Sequence, residues 1–113
     1  MNKFCTRFCS YKQEKIVAKK LLGRVQPNSG ATPFQKGDVK TEKFLIECKT
    51  CMKERSSINI KKCWLTKLEE ERFGMGKDYS ALCFDFGDNE RFYIIDESLM
   101  KQFVEYVEKE QEN

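Results

Sequence analysis

A short apolar run in the middle of the chain constrains the fold more than any other feature. Phe44–Ile46 is apolar at three successive positions, which would cover both faces of an extended segment. Such a run predicts a strand in the middle of a sheet that is covered on both sides. The charged residues Glu47 and Lys49 follow it directly. Because strand residues two apart point to one face, we expect Glu47 and Lys49 to project together and Cys48 to point away.

A second strand is predicted just upstream of this run. Residues 37–41 are separated from it by Glu42 and Lys43, a pattern typical of a hairpin with a tight turn. If the turn is centred on these two residues, Asp38 lies across from Glu47 with Cβ atoms about 5 Å apart. Two carboxylates at this distance repel each other unless a cation lies between them. The spacing therefore predicts a site for a hard divalent cation such as Mg²⁺, which prefers carboxylate oxygens and water.

Lys49 follows one pleat further along the same predicted face. Its side chain could orient or help deprotonate a water molecule for in-line attack on a phosphodiester. Its ammonium group could equally stabilise negative charge that grows on the phosphorus oxygens. Taken alone, the Asp-x8-Glu-x-Lys spacing also arises by chance on solvent-exposed strands, so the motif needs support from its context.

The remaining pattern predicts an α/β fold in one domain. A mixed central sheet flanked by helices follows from the order α-β-β-α-β-β-α in 113 residues. We expect residues 1–9 and 108–113 to be flexible tails. The other predicted elements are a helix from the N-cap Ser10 to Gly23, a loop over 24–36, a helix over 60–73, strands over 81–86 and 91–95 joined at 87–90, and a last helix capped by Asp96. Both later helices are predicted from apolar residues at helical intervals, which are Ile60, Trp64, Leu65, Leu68 and Phe73 in the first and the stripe Leu99, Met100, Phe103, Val104 and Val107 in the last.

Charge is distributed unevenly along the chain. Residues 1–62 contain fifteen Lys and Arg against five Asp and Glu, giving +10, whereas residues 63–113 contain six against thirteen, giving −7. A basic half suits a polyanion such as nucleic acid, because neutralised phosphates release their counterions. Lysines that merely solvate helix faces would give the same imbalance, so charge alone does not decide between the two interpretations.

Composition also limits the location and the chemistry. No apolar run approaches the roughly 20 residues that cross a bilayer. Residues 1–10 are basic and lack the continuous apolar core of a secretory signal, so we expect a cytoplasmic protein. The chain contains no His, which excludes imidazole metal sites, Ser-His and Cys-His nucleophilic pairs and His-based nuclease chemistry. Any hydrolysis must therefore use carboxylates, lysine and metal.

The cysteines allow a second metal hypothesis. In a reducing compartment we expect free thiols. The first four cysteines could instead supply thiolates to a structural zinc, although Cys48 lies within the strand that the acidic motif needs. Cys63 and Cys83 fall in apolar segments and are predicted to be small core residues. The six cysteines are Cys5, Cys9, Cys48, Cys51, Cys63 and Cys83.

Three stretches of the sequence resemble one nuclease family. Gly37-Asp38 followed by the 44–49 strand FLIECK resembles the signature of the PD-(D/E)XK nuclease superfamily, in which an apolar strand delivers E-x-K beside an aspartate on the preceding strand. Residues 23–31 resemble the serine-glycine loop of archaeal-type and phage Holliday junction resolvases, and residues 13–18 resemble their first helix. The resemblance covers roughly residues 10–95. Gly37 stands where the superfamily has its namesake proline, a change that leaves every chemical group in place.

The resemblance implies a restriction-endonuclease-like core and assigns roles within it. Asp38 and Glu47 would bind Mg²⁺, for which Mn²⁺ substitutes, together with the backbone carbonyl of Cys48. Glu14 would complete the acidic cluster, and Lys49 would position the water. Without the resemblance, Glu14 could equally be a surface residue paired with a neighbouring lysine.

The same resemblance assigns a DNA-binding role to the loop. Ser29 would contact the backbone of the scissile strand. A Gly and Ser loop flanked by basic residues offers backbone N–H groups and a hydroxyl to a phosphate, although Ser29 could also be only a turn former. The predicted DNA-binding residues are Arg24, Asn28, Ser29, Gly30 and Lys36.

As a whole, the resemblance implies an endodeoxyribonuclease that resolves Holliday junctions in DNA recombination. Such enzymes are symmetric homodimers, and a bacteriophage origin would place this one in the host cytoplasm. One alternative is a nicking or repair endonuclease without junction specificity. Another is a non-catalytic DNA-binding or zinc-binding module that uses only the basic half of the chain.

Overall fold

The computed structural model of the chain describes residues 3–25, 38–51 and 53–112, with side chains described for 12–25, 39–51 and 53–110. The elements in this part of the chain are α1 (Lys3–Lys20), β1 (Arg24–Val25), β2 (Asp38–Lys40), β3 (Phe44–Lys49), α2 (Lys62–Gly74), β4 (Tyr79–Asp85), β5 (Arg91–Ile94) and α3 (Glu97–Glu112). None of the helices in these ranges is long and apolar enough to cross a membrane.

The described strands form one mixed sheet in the order β1-β2-β3-β4-β5. β3 and β4 are parallel and are connected through α2, whereas the other neighbours are antiparallel. A parallel pair requires a crossover, and α2 supplies it. The prediction of an α/β fold with β3 in the middle of the sheet is therefore confirmed.

Apolar side chains cover both faces of β3. Leu45 is fully buried with Leu68 of α2, which defines the α2 face of the sheet. Ile46 is buried with Val17 and Ala18 of α1, which defines the α1 face. Since successive strand residues alternate between faces, an apolar run without a polar position is what a doubly covered strand needs.

The β2–β3 hairpin has the predicted register. Asp38 is the Cα partner of Glu47, and Val39 is the partner of Ile46. The turn is closed by the Phe44 N–H, which donates to Thr41 Oγ1 at 3.0 Å, and by the Thr41 N–H, which donates to the Phe44 carbonyl at 3.0 Å.

The N-terminal part of the chain differs from the prediction. α1 begins at Lys3 rather than after Ser10, so the expected tail over residues 3–9 is wrong. These residues contain no Gly or Pro, and Ser10 therefore continues a helix instead of capping one. Arg24 and Val25 were expected in a loop but form β1, because Val25 packs against the buried cluster on the α1 face.

Two helices agree with the prediction in position but less well in packing. Cys63 and Phe73 each lie five residues from the buried Leu68, about 140° around α2, and both are exposed. The prediction of Cys63 as a core residue is therefore wrong, whereas Cys83 is fully buried as expected. The Asp96 cap of α3 is confirmed by the Leu99 N–H, which donates to Asp96 Oδ1 at 2.8 Å.

α3 extends further than predicted, and its apolar stripe is exposed. The helix continues through the expected tail to Glu112. Within the predicted stripe, Met100, Phe103 and Val104 are 48%, 56% and 43% exposed. The periodicity correctly identified an amphipathic helix but contains no information on what covers its apolar side.

Candidate functional site

The candidate site lies at the end of β3, on the α2 face. Glu47 is only 1% exposed, and Lys49 Nζ lies 3.5 Å from Glu47 Oε1. The Lys49 side chain is 28% exposed, so the pair lies at the edge of the interior with a path to solvent. Cys48 is buried on the opposite face with the α1 cluster. The predicted alternation of these three residues is confirmed.

A tryptophan on α2 completes the surroundings of Lys49. Lys49 Nζ lies 4.5 Å from the centroid of the Trp64 ring, within the distance of a cation–π interaction. Trp64 itself packs against the buried cluster of Leu45, Leu68 and Leu82. The Lys49 ammonium therefore lies between a carboxylate and an aromatic ring.

Asp38 lies across from Glu47 in the backbone register. Directly opposite residues of an antiparallel pair are cross-strand neighbours, with Cβ atoms typically about 5 Å apart. The Asp38 side chain lies outside the described residues, so a shared site for the two carboxylates stays a prediction. The metal-binding role of the Cys48 carbonyl also stays a prediction.

Glu14 is a buried acid on α1. It is only 5% exposed, so the interpretation of Glu14 as a surface residue is wrong. Val17 and Ala18 of the same helix pack on the α1 face, whereas Glu47 and Lys49 belong to the α2 face. The proposed grouping of Glu14 with Glu47 across these faces stays a prediction.

Gln13 connects α1 to the end of β3. This side chain is buried, and its Nε2 donates to the Lys49 carbonyl oxygen at 3.3 Å and to Cys83 Sγ at 3.9 Å. Sequence analysis missed this role, because nothing in the spacing relates α1 to a backbone carbonyl 36 residues away. α1 thus fixes the part of β3 that carries the candidate site.

A third buried acid, Asp85, organises the segment that follows β3. Asp85 Oδ1 accepts hydrogen bonds from the Cys51 N–H at 3.3 Å and the Gly87 N–H at 2.9 Å. Burial, followed by the negative charge of Asp85, raises the pKa of the Cys51 thiol. Since the carboxylate holds two backbone N–H groups, we assign Asp85 a structural role.

Basic residues extend the α2 face toward the edge of the sheet. Arg24 and Lys40 are register partners, and Lys40 pairs with Leu45 of the α2 face. These two cations and Lys77 line a surface cleft of about 560 Å³. Lys77 Nζ donates to the carbonyl oxygens of Thr41 at 2.8 Å and Glu42 at 3.0 Å. Of the predicted DNA-binding residues, Arg24 is exposed on β1, whereas Asn28, Ser29, Gly30 and Lys36 lie outside the described residues.

Within the described side chains, no group of three His, Cys, Asp or Glu residues is arranged to hold a metal ion. The side chains of Asp38, Cys5 and Cys9 lie outside that set. The magnesium site and the alternative zinc site therefore both stay predictions.

The chain matches no protein-family model. No curated protein and no solved structure shows significant similarity to it.

Proposed function

We propose that the chain is a Mg²⁺-dependent endodeoxyribonuclease with a restriction-endonuclease-like core, in which Asp38, Glu47 and Lys49 form the cutting site. The observation that supports this proposal is the hairpin register. It pairs Asp38 with Glu47 on neighbouring strands, while Lys49 Nζ lies 3.5 Å from the Glu47 carboxylate.

The chemistry of the donors fits a hard cation. A carboxylate that is 99% buried, as Glu47 is, requires positive charge nearby, and a second carboxylate from the neighbouring strand would increase that requirement. Mg²⁺ prefers such oxygens, and Mn²⁺ substitutes for it. Glu14 and the Cys48 carbonyl would complete the ligand set. When bound, Mg²⁺ supplies Lewis acidity at the phosphodiester and activates water.

The residues of the chain have separate tasks in this proposal. Lys49 orients the attacking water and donates hydrogen bonds to the phosphate oxygens on which charge grows. Arg24, with Lys40 beside it, contacts the DNA backbone. The segment with Asn28, Ser29, Gly30 and Lys36 adds backbone and hydroxyl donors to the same strand.

We propose a four-way DNA junction as the substrate and a homodimer as the active form. The support is the sequence resemblance to phage-type Holliday junction resolvases, together with the net charge of +10 in residues 1–62. Two strands of a junction must be cut at matched positions, which a symmetric pair of sites achieves.

A cleavage assay with two substrates tests this proposal. The wild type should cut a four-way junction in Mg²⁺ and should be inactive in EDTA. Glu47→Gln should lower the rate at least about 100-fold, because it removes the charge but keeps the shape. Glu54→Gln, at an exposed position after β3, is the matched control and should retain activity.

Three outcomes would count against the proposal. Equal rates on the junction and on linear duplex would contradict junction specificity and favour a nicking or repair endonuclease. Binding of DNA without cleavage in Mg²⁺ or Mn²⁺ would contradict the nuclease assignment. Stoichiometric zinc in the purified protein, together with such inactive binding, would favour the non-catalytic module.

A further inference from the structure

We propose that Trp64 is a positioning residue that holds the Lys49 ammonium beside the Glu47 carboxylate. This inference rests on the proposed function, since it assigns the means by which the cutting site keeps its cation in place. The contact itself is a separate observation, with Nζ 4.5 Å from the ring centroid.

The ring limits where the ammonium can lie. A lysine side chain is flexible, and its ammonium group can occupy many positions. If Lys49 contacted only Glu47, the ammonium would settle on the carboxylate oxygens that a divalent cation also needs. A second attraction from the Trp64 face draws the group to one side of the carboxylate. The observed distances, 3.5 Å to Glu47 Oε1 and 4.5 Å to the ring, agree with such a shared position.

Trp64 is suited to this role because its own position is fixed. It lies in the first turn of α2 and packs against the buried cluster of Leu45, Leu68 and Leu82. Indole gives the strongest cation–π interaction among the aromatic side chains. The core of the sheet therefore determines the location of the ring, and the ring determines the location of the ammonium.

Kinetics of three variants test the role. Trp64→Leu should lower kcat about 10-fold on the junction with KM changed less than about twofold, because the ring guides the reacting group and does not bind DNA. Trp64→Phe should restore most of the loss, since phenyl keeps an aromatic face. Phe73→Leu is the matched control: it replaces an aromatic ring on the same helix at a position that is 79% exposed and outside the cluster that holds Trp64, and its kcat should equal that of the wild type.

Fluorescence tests the contact without any cleavage. Trp64 is the only tryptophan in the chain, so its emission reports on this position alone. Lys49→Met should change the emission, whereas Lys61→Met should change it less, because Lys61 Nζ lies 6.0 Å from the ring centroid.

The outcomes separate this inference from the proposed function. Unchanged emission in Lys49→Met would overturn the contact. An active wild type with an unchanged kcat in Trp64→Leu, or an equal loss in Phe73→Leu, would overturn the positioning role alone. An inactive wild type would overturn the proposed function, and the positioning role with it.

Discussion

Gln13 on α1 donates a hydrogen bond from Nε2 to the carbonyl oxygen of Lys49, at 3.3 Å. Gln13 is buried, and its partner is the last residue of β3. A helix on one face of the sheet thereby holds the backbone of a residue whose side chain serves the other face.

Substitution of Gln13 should destabilise the protein. Gln13→Leu keeps a similar volume but removes the hydrogen bond to the part-buried Lys49 carbonyl, and the loss of such a bond costs about 0.5–1.5 kcal/mol. Urea denaturation should show this decrease in the free energy of unfolding. Lys12→Leu, at the exposed neighbouring position, is the control and should change stability by less than about 0.5 kcal/mol. Equal effects of the two substitutions would contradict the assigned role of Gln13.

Metal binding at the candidate site should be detectable through Trp64. Tb³⁺ is a hard cation that binds carboxylate oxygens, and its luminescence rises when a nearby tryptophan transfers energy to it. Because Lys49 lies 4.5 Å from Trp64 and 3.5 Å from Glu47, an ion at Glu47 would be close to the ring. Excitation of Trp64 should therefore sensitise bound Tb³⁺, and excess Mg²⁺ should reduce the signal.

Two variants make the metal experiment specific. Glu47→Gln and Asp38→Asn should each abolish the sensitised luminescence, whereas the exposed Glu54→Gln should retain it. A signal that survives both substitutions would show that the ion binds elsewhere on the protein surface.

The hairpin could be predicted from sequence because its register has little freedom. A shift of one residue would move Val39 and Ile46 from the buried cluster on the α1 face to the other side of the sheet. The apolar pattern and the short turn therefore place Asp38 across from Glu47. Local information was sufficient for this half of the candidate site.

The contacts of Lys49 could not be predicted in the same way. Trp64 lies near Lys49 only because α2 connects the parallel strands β3 and β4 and packs on one face of the sheet. Gln13 reaches the Lys49 carbonyl from α1. Neither distance is encoded in a local spacing. Periodicity identified Trp64 as part of an apolar helix side, which is correct for its packing but gives no indication of its cation partner.

Gly87 should be sensitive to substitution. Its φ of +84° is unfavourable for a side chain, and an added Cβ would lie 2.6 Å from the Lys53 carbonyl oxygen. We expect Gly87→Ala to lower the free energy of unfolding by at least about 2 kcal/mol. Gly76 is the matched control, because its φ is +68° but no atom lies within 4 Å of an added Cβ. Gly76→Ala should cost only about 1 kcal/mol. Equal decreases in the free energy of unfolding for the two variants would show that the close approach of the Lys53 carbonyl does not add to the cost of Gly87→Ala.

Alkylation of the Cys51 thiol should require a higher pH than alkylation of an ordinary cysteine. Burial first, and then the charge of Asp85, raise the pKa of this thiol, so less thiolate is present at a given pH and alkylation requires more alkaline conditions. Peptide-resolved alkylation with iodoacetamide across a pH series should show this shift.

Asp85→Asn keeps an oxygen acceptor for the Cys51 and Gly87 N–H groups but removes the charge, so the profile of Cys51 should move toward lower pH. Cys63 on the exposed side of α2 is the internal control, and its profile should not change. A Cys51 profile that is the same in both proteins would show that the Asp85 charge does not act on the thiol.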